Sequence, residues 1–200
     1  MKHVVTYLIK MKINRHKSPI KKLLIDDWYF LDNKKNWRKA TVPGCIHTDL
    51  LEHQIIGDPF YRENEASIQW IHEQNWNYRL IFTIEKEIYI KENIILCFEG
   101  IDTFADVFLN DEKVIAANNM FHPWKASIKD QVKSGTNEIM VKFRSPTKEV
   151  EGSAGSLEYK LPADNDRAGK TSPFVRKAPY HYGWDWGPCL ITSGIWKNVY

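Results

Sequence analysis

The sequence predicts an all-β sandwich that carries one long irregular segment, and three observations lead to this fold class. Apolar and polar residues alternate in several short stretches, which is the pattern of half-buried strands. Turn residues separate these stretches, and helix signals are few. Residues 145–188 hold five of the nine prolines and five of the ten glycines with little periodicity, which predicts loop rather than strand or helix.

The strand signals follow one another along the middle of the chain. In WNYRLIFTI, residues 76–84, every second side chain is large and apolar, so one face is expected in the core. NIILCFEG, residues 93–100, is a continuous apolar run and predicts a strand buried on both faces. Residues 102–118 predict a hairpin that turns at Asn110–Asp111, and NEIMVKFRS, residues 137–145, alternates again.

Two further elements give weaker signals. HTDLLEHQ, residues 47–54, predicts a helix of two turns before Gly57, with Thr48 as the candidate N-cap. GIWKNVY, residues 194–200, is expected to begin a last strand that the end of the sequence cuts short. Several short strands with so little helix favour a sandwich over an α/β fold.

Charge divides the chain into two parts. Residues 1–25 hold seven basic residues and no acidic one, whereas residues 26–200 hold 21 basic and 25 acidic residues. We therefore expect a flexible basic extension over 1–25 and one globular domain over 26–200. The acidic balance of the domain argues against nucleic acid as a partner. The apolar run 4–9 is shorter than a signal peptide needs, which favours the cytoplasm and leaves export open.

Several kinds of site lack the residues that they would need. No stretch of 18 apolar residues occurs, so a membrane partner is not expected. Cys45, Cys97 and Cys189 show no metal-ligand spacing, nor do His47 and His53, so no metal is expected. Glycine-rich phosphate loops and a nucleophile elbow are absent, so no cofactor is predicted. Cys97 lies in an apolar run and is expected to be a buried thiol.

Two close acidic pairs are candidates for acid/base chemistry. Glycosidases use paired carboxylates, but these stand about 5–10 Å apart across a cleft. Asp164 and Asp166 lie in a Pro-Asn loop, where turn formation and a bond to Arg167 are the simpler interpretation. The same interpretation applies to Glu63 and Glu65. The residues therefore offer no catalytic set.

The most conspicuous motif is PYHYGWDWGPCL, residues 179–190, in which Trp184 and Trp186 flank Asp185. A carboxylate beside an indole suits a sugar, because the carboxylate accepts hydrogen bonds from vicinal hydroxyls and the ring stacks on the C–H face of a pyranose. The same residues also suit a core plug in which Asp185 caps a turn. The motif alone leaves both interpretations open.

Six stretches in their order along the chain resemble β-mannosidases. They are ATVPGCIHTDLL, DPFYRENE, IQWIHEQNWNYR, FEGIDTFADVFLN, NMFHPW and RKAPYHYGWDWGPCLITSGIW. The resemblance runs from about Trp28 to Tyr200. GIDTFADVFLN is general to the glycoside hydrolase family that also holds β-galactosidases and β-glucuronidases, whereas PFVRKAPYHYGWDWGP is more specific to the mannosidase branch. Cys189 and Lys197–Asn198 depart from this branch, where a basic residue and Arg-Pro are frequent.

The resemblance implies a jelly-roll sandwich similar to galactose-binding domains, followed by immunoglobulin-like sandwiches and a (β/α)₈ barrel. It also implies exo-acting, retaining hydrolysis of terminal β-D-mannose from mannosides or manno-oligosaccharides by two glutamates of the barrel. Those glutamates lie beyond Tyr200, so the 200-residue chain alone is expected to be inactive. Trp184 and Asp185 match the family's substrate-binding pair, and Trp186 is left as the plug.

Three alternatives remain. The first is another exo-glycosidase of the same family, such as a β-galactosidase, β-glucuronidase or exo-glucosaminidase. The second is a free-standing carbohydrate-binding module that acts without a catalytic domain. The third is a structural domain whose loop only docks against other domains.

Overall fold

The computed structural model describes residues 19–154 and 156–200, and strands dominate this part of the chain. The strands are β1 (Trp28–Leu31), β2 (Trp37–Lys39), β3 (Trp76–Ile84), β4 (Ile95–Phe98), β5 (Phe104–Leu109), β6 (Glu112–Asn118), β7 (Trp124–Ser127) and β8 (Gly135–Phe143). The short helices are α1 (Ile46–Glu52), α2 (Asn64–Ser67), α3 (Lys86–Tyr89) and α4 (Glu151–Ala154). Single 3₁₀ turns lie at Gln69–Ile71, Lys148–Val150, Ser172–Phe174 and Pro179–His181.

The strands form two antiparallel sheets. One has six strands in the order β2-β1-β3-β8-β5-β6, and the other pairs β4 with β7. Residues 198–200 run along the free edge of β4, where Cys97 and Tyr200 exchange backbone hydrogen bonds of 2.7 and 3.0 Å. Large side chains fill the main core, among them Trp28, Phe30, Tyr78, Phe98 and Phe143. The prediction of an all-β sandwich is confirmed.

The alternating stretches form the central strands as predicted. Along β3, Trp76, Tyr78 and Leu80 are buried while Ile81 faces solvent. β5 and β6 meet at Asn110–Asp111, where both residues have positive φ (50° and 72°). Such angles suit a tight two-residue hairpin turn, for which Asn and Asp are preferred.

β4 is shorter than its apolar run. The strand covers only Ile95–Phe98, and Ile95 is exposed on it. Leu96, Cys97 and Phe98 are buried, so burial on both faces holds for these three residues. The prediction that Cys97 is a buried thiol is confirmed.

α1 begins earlier than its sequence suggested. Cys45 is the N-cap, and Thr48 lies in the first turn, where its hydroxyl accepts the Cys45 amide at 3.3 Å. The predicted cap at Thr48 is therefore wrong. Backbone hydrogen bonds from Gly44 and Ile46 to the final segment hold the chain where the helix starts, so long-range pairing sets its first residue.

The segment between β8 and the last residues is irregular, as predicted, and contains only short helical turns. Of the expected extension over residues 1–25, residues 1–18 lie outside the described part. The Leu24 amide donates to the Val199 carbonyl at 2.8 Å, so residues 19–25 reach the sandwich. Within the described residues, no helix has the length and apolar character needed to cross a membrane.

Candidate functional site

The motif at residues 179–190 folds into a short hairpin whose base is buried. Tyr182 and Cys189 face each other there as an antiparallel bridge. They belong to a small hydrophobic cluster, distinct from the main core, that also contains Phe104, Val150, Val175 and Ile191. Burial raises the pKa of the Cys189 thiol to about 11, so this cysteine is a packing residue rather than a nucleophile.

The tip of the hairpin is a tight turn. The Trp184 amide donates to the Gly187 carbonyl at 3.3 Å, and the Gly187 amide donates to the Trp184 carbonyl at 3.4 Å. Asp185 and Trp186 are the two residues between them. Their side chains consequently stand at the outer end of the hairpin, as the exposure of both confirms.

Both indoles of the tip reach solvent. Trp184 is 42% exposed and Trp186 is 82% exposed, with their ring centroids 6.5 Å apart. The interpretation of Trp186 as a core plug is wrong. Tyr182, at 1% exposure, fills the interior position instead, because the hairpin turns its base rather than its tip towards the protein.

One arginine connects the tip to a distant part of the chain. Arg167 donates from Nη2 to the carbonyls of Trp184 and Gly187, at 2.7 and 3.1 Å. Its Nη1 donates to Oε1 of Glu65 at 3.0 Å, and the same oxygen accepts the Cys189 amide at 2.7 Å. The sequence assigned Arg167 to the neighbouring aspartates, and the observed partner is Glu65, 102 residues away.

One carboxylate of each acidic pair has a structural role. Asp166 is buried, and its carboxylate accepts the amides of Ala168 and Ser172 at 2.6 and 2.8 Å. The predicted turn at this position is confirmed. Since Glu65 is bonded to Arg167 and Asp166 to its own loop, neither carboxylate is free to act on a substrate.

A buried charge pair lies below the start of the hairpin, and sequence reasoning missed it. Lys177 donates to the Asp102 carboxylate and to the Thr192 carbonyl, the latter at 2.9 Å. The Thr192 hydroxyl lies 2.7 Å from Asp102 Oδ2 and 3.0 Å from His181 Nδ1. Burial lowers the pKa of Lys177, and the adjacent Asp102 counteracts this shift.

Two histidines near this pair are held neutral. Burial, followed by the positive charge of Lys177, lowers the pKa of both His47 and His181 to about 4. His47 Nδ1 is buried without a hydrogen-bond partner. His53 is turned elsewhere and bonds to the Lys39 carbonyl at 2.7 Å. Across residues 19–154 and 156–200, no three His, Cys, Asp or Glu side chains are grouped closely enough to hold a metal ion.

A half-open cavity of about 340 Å³ adjoins the same network. Its lining includes Asp102, His181 and Thr192 and the aromatic rings of Phe121, Tyr180 and Trp196. Asp102, His181 and Thr192 are already hydrogen-bonded to one another or to Lys177. The exposed carboxylate and indoles of the hairpin tip are therefore the more accessible candidate site.

Comparisons with known proteins agree on one family. The sequence model of the family described as "glycosyl hydrolase 2 galactose-binding domain-like" matches residues 28–197. β-Mannosidase B of Thermothelomyces thermophilus is 36% identical over 162 residues, covering 79% of this chain and 18% of that protein. β-Mannosidase of Bos taurus is 38% identical over 165 residues, covering 80% of this chain and 19% of that protein.

A solved structure extends the similarity to three dimensions. The crystal structure of β-D-mannosidase from Dictyoglomus thermophilum matches with a TM-score of 0.81 and 44% identity, over 90% of this chain and 22% of that one. The exo-chitosanase CsxA of Amycolatopsis orientalis matches at TM-score 0.54 and 19% identity, a likeness of fold alone. The chain spans about a fifth of the length of the curated relatives that it matches.

Proposed function

The chain belongs to the glycosyl hydrolase 2 galactose-binding domain-like family, and we propose that it is the N-terminal domain of an exo-acting β-mannosidase. The parent enzyme removes terminal non-reducing β-D-mannose residues. Its catalytic glutamates lie on a downstream barrel, after immunoglobulin-like domains. The 200-residue chain contributes Trp184 and Asp185 to the substrate pocket and is inactive alone.

The observation that carries the proposal is an exposed tip on a buried base. Asp185 and the indole of Trp184 are open to solvent, while Tyr182 and Cys189 fix the hairpin in a hydrophobic cluster. A carboxylate on such a support can accept charge-assisted hydrogen bonds from two sugar hydroxyls. The indole offers an apolar face to the C–H groups of the ring. A rigid support also keeps both groups in the geometry that binding needs.

The similarity to proteins named β-mannosidase supports mannose as the sugar. In the proposed mechanism, hydrolysis retains the anomeric configuration through a covalent glycosyl-enzyme, with two carboxyl groups about 5 Å apart. Asp185 binds the terminal mannose and takes no part in proton transfer. Hydrogen bonds to hydroxyls near the anomeric carbon strengthen in the transition state, so a contact from this tip contributes to kcat as well as to binding.

Activity of the parent protein on nitrophenyl glycosides tests the proposal. We expect kcat/KM for the β-mannoside to exceed that for the β-galactoside, β-glucuronide and β-glucosaminide by about tenfold or more. The first sugar released, followed by NMR, is expected to be β-mannose. Preference for one of the other sugars would contradict the proposal and assign the parent to that branch of the family.

A carbohydrate-binding module is the second candidate, because two exposed tryptophans beside a carboxylate also suit a site that works alone. Calorimetry of the 200-residue chain with methyl β-mannoside separates the two functions. Because this domain supplies only part of the proposed pocket, we expect no measurable heat of binding at millimolar sugar. A Kd in the millimolar range or tighter would favour the module instead.

A further inference from the structure

We propose that Arg167 is a positioning residue that, together with Glu65, holds the Trp184–Gly187 turn in the geometry that meets the sugar. The inference rests on the proposed function, which assigns Trp184 and Asp185 to the substrate. Arg167 itself does not contact the substrate in this proposal. It acts through the backbone of the turn.

The geometry places one guanidinium on both ends of the turn. Its Nη2 bonds to the carbonyls of Trp184 and Gly187, the two residues that bracket the tip. The Arg167 amide also donates to the Tyr182 carbonyl at 3.0 Å, so backbone and side chain both attach to the hairpin. A change in either carbonyl position would break a charge-assisted hydrogen bond.

Gly183 leaves room for the Arg167 side chain. The residue has φ +98°, and a Cβ there would lie 3.2 Å from Arg167 Nε and 3.3 Å from its Cγ and Cδ. The side chain of Arg167 thus crosses the hairpin directly over the missing Cβ. A glycine here allows both the left-handed backbone and the close approach of the side chain.

Glu65 orients the guanidinium from the other side. It accepts Nη1 of Arg167 and the Cys189 amide on one oxygen. Gln69 then donates to the Cys189 carbonyl at 3.0 Å. Glu65 and Gln69 therefore bind the amide and the carbonyl of Cys189. These bonds attach the hairpin to a part of the chain more than 100 residues away.

The chemistry requires arginine in particular. A guanidinium presents several donors in a rigid plane, so it can bond to two carbonyls and a carboxylate together. A lysine is a single point charge on a flexible stem and can satisfy only part of this set. Because the Arg167 and Glu65 side chains are 49% and 26% exposed, the ion pair adds little to global stability. Its effect is expected on the turn.

Hydrogen exchange of the 200-residue chain tests whether Arg167 holds the turn, without any assumption about activity. In Arg167→Met, the hydrogen-bonded amides in residues 183–189, which are those of Gly183, Trp184, Gly187 and Cys189, are expected to exchange about tenfold faster or more, since two hydrogen bonds to the turn are lost. Amides of β3 and β8 are expected to keep their rates. Lys170→Met, in the same segment, is the matched control. Unchanged exchange at 183–189 in Arg167→Met would overturn the proposal.

A double-mutant cycle in the parent protein tests the link to substrate. Arg167→Met is expected to lower kcat/KM for nitrophenyl β-mannoside about tenfold or more, because small displacements of a binding group are costly. Arg167→Lys is expected to restore part of this loss. In an Asp185→Ala background, Arg167→Met should add little, since both act through the same tip.

The outcomes separate the two proposals. If Asp185→Ala leaves kcat/KM unchanged, the proposed substrate role of Asp185 fails, while the exchange result still decides whether Arg167 holds the turn. If Asp185→Ala is impaired but Arg167→Met is not, the positioning role fails alone. Losses that multiply independently in the double variant would overturn the claim that Arg167 acts through Asp185.

Discussion

Two tight hairpins with two-residue tips lie in the described part of the chain, and their tip side chains have opposite roles. At the β5–β6 turn, Asn110 folds inward. Its Nδ2 donates to the Gln131 carbonyl and to Asn137 Oδ1, at 2.8 and 2.9 Å, while its Oδ1 accepts the Glu138 amide at 3.0 Å. This side chain connects the turn to β8, the neighbour of β5 in the sheet, and stabilises the sandwich.

At the second hairpin, the tip makes no such use of its side chains. The indoles of Trp184 and Trp186 face solvent, and the turn is held through its carbonyls by Arg167. A turn fixed through its backbone by another residue leaves its side chains free for a ligand. Asn110 thus stabilises the fold, whereas Asp185 stands on a support that other residues supply.

The largest expected effect comes from the buried charge below the second hairpin. Lys177→Met removes the partner of Asp102 and leaves a buried carboxylate uncompensated, which we expect to lower the free energy of unfolding by about 3–5 kcal/mol. Urea denaturation measures it, with exposed Lys125→Met as control. A similar small loss in both variants would contradict a stabilising role of the buried pair.

Acid is expected to weaken the same region by about 3 kcal/mol. The folded state holds the pKa of both His47 and His181 at about 4, below the ordinary value of 6.5, so the unfolded chain binds more protons between these values. Stability is therefore lost as pH falls from 6.5 to 4. Asp49, whose pKa burial raises to about 6, changes in the opposite sense and offsets part of the loss.

Urea titrations across this pH range measure the effect. His47→Gln is expected to reduce the acid dependence, since His181 keeps its own contribution, and exposed His122→Gln is expected to retain the full dependence. An equal slope in wild type and His47→Gln would contradict the assignment to this histidine.

A smaller loss is expected at the first hairpin. Asn110→Ala removes three hydrogen bonds and places alanine at positive φ, at a cost of about 2–3 kcal/mol. Asn110→Gly tolerates this backbone and isolates the contribution of the hydrogen bonds. Thermal unfolding checks both, and the activity of the parent is expected to stay unchanged. A loss of activity in folded Asn110→Gly would contradict a purely structural role of the first hairpin.

The smallest expected effect concerns two glycines at positive φ. Gly135→Ala and Gly183→Ala each strain the backbone by about 1–2 kcal/mol. A Cβ at Gly135 meets nothing within 4 Å, whereas a Cβ at Gly183 meets Arg167. Only Gly183→Ala should therefore raise hydrogen exchange at residues 183–189. The same exchange in both variants would show that neither the backbone at Gly183 nor its contact with Arg167 holds the turn.

The sequence predicted those parts of the fold that local residues determine. Alternation in residues 76–84 and the turn residues Asn110–Asp111 act within a few positions, and both predictions are confirmed. The N-cap of α1 lies three residues before the predicted Thr48, because the distant Ser193 and Ile195 carbonyls hold the chain ahead of the helix.

The candidate site also has one part that the sequence reveals and another that depends on distant residues. The motif itself could be found from sequence, since an Asp between two tryptophans is conspicuous. The exposure of Trp186 could not be found, because it depends on Tyr182 taking the interior position. Neither the Arg167–Glu65 pair nor the Lys177–Asp102 pair has a local signal, as their members lie 102 and 75 residues apart.

The most direct test of a substrate-binding tip is kcat/KM for nitrophenyl β-mannoside in the parent protein carrying Asp185→Ala. Loss of a charge-assisted hydrogen bond predicts a fall of about 10- to 100-fold with an unchanged unfolding midpoint. Asp164→Ala, an exposed aspartate of the same segment, is expected to keep wild-type kcat/KM. Wild-type kcat/KM in Asp185→Ala, or an equal loss in Asp164→Ala, would contradict the substrate role of the hairpin.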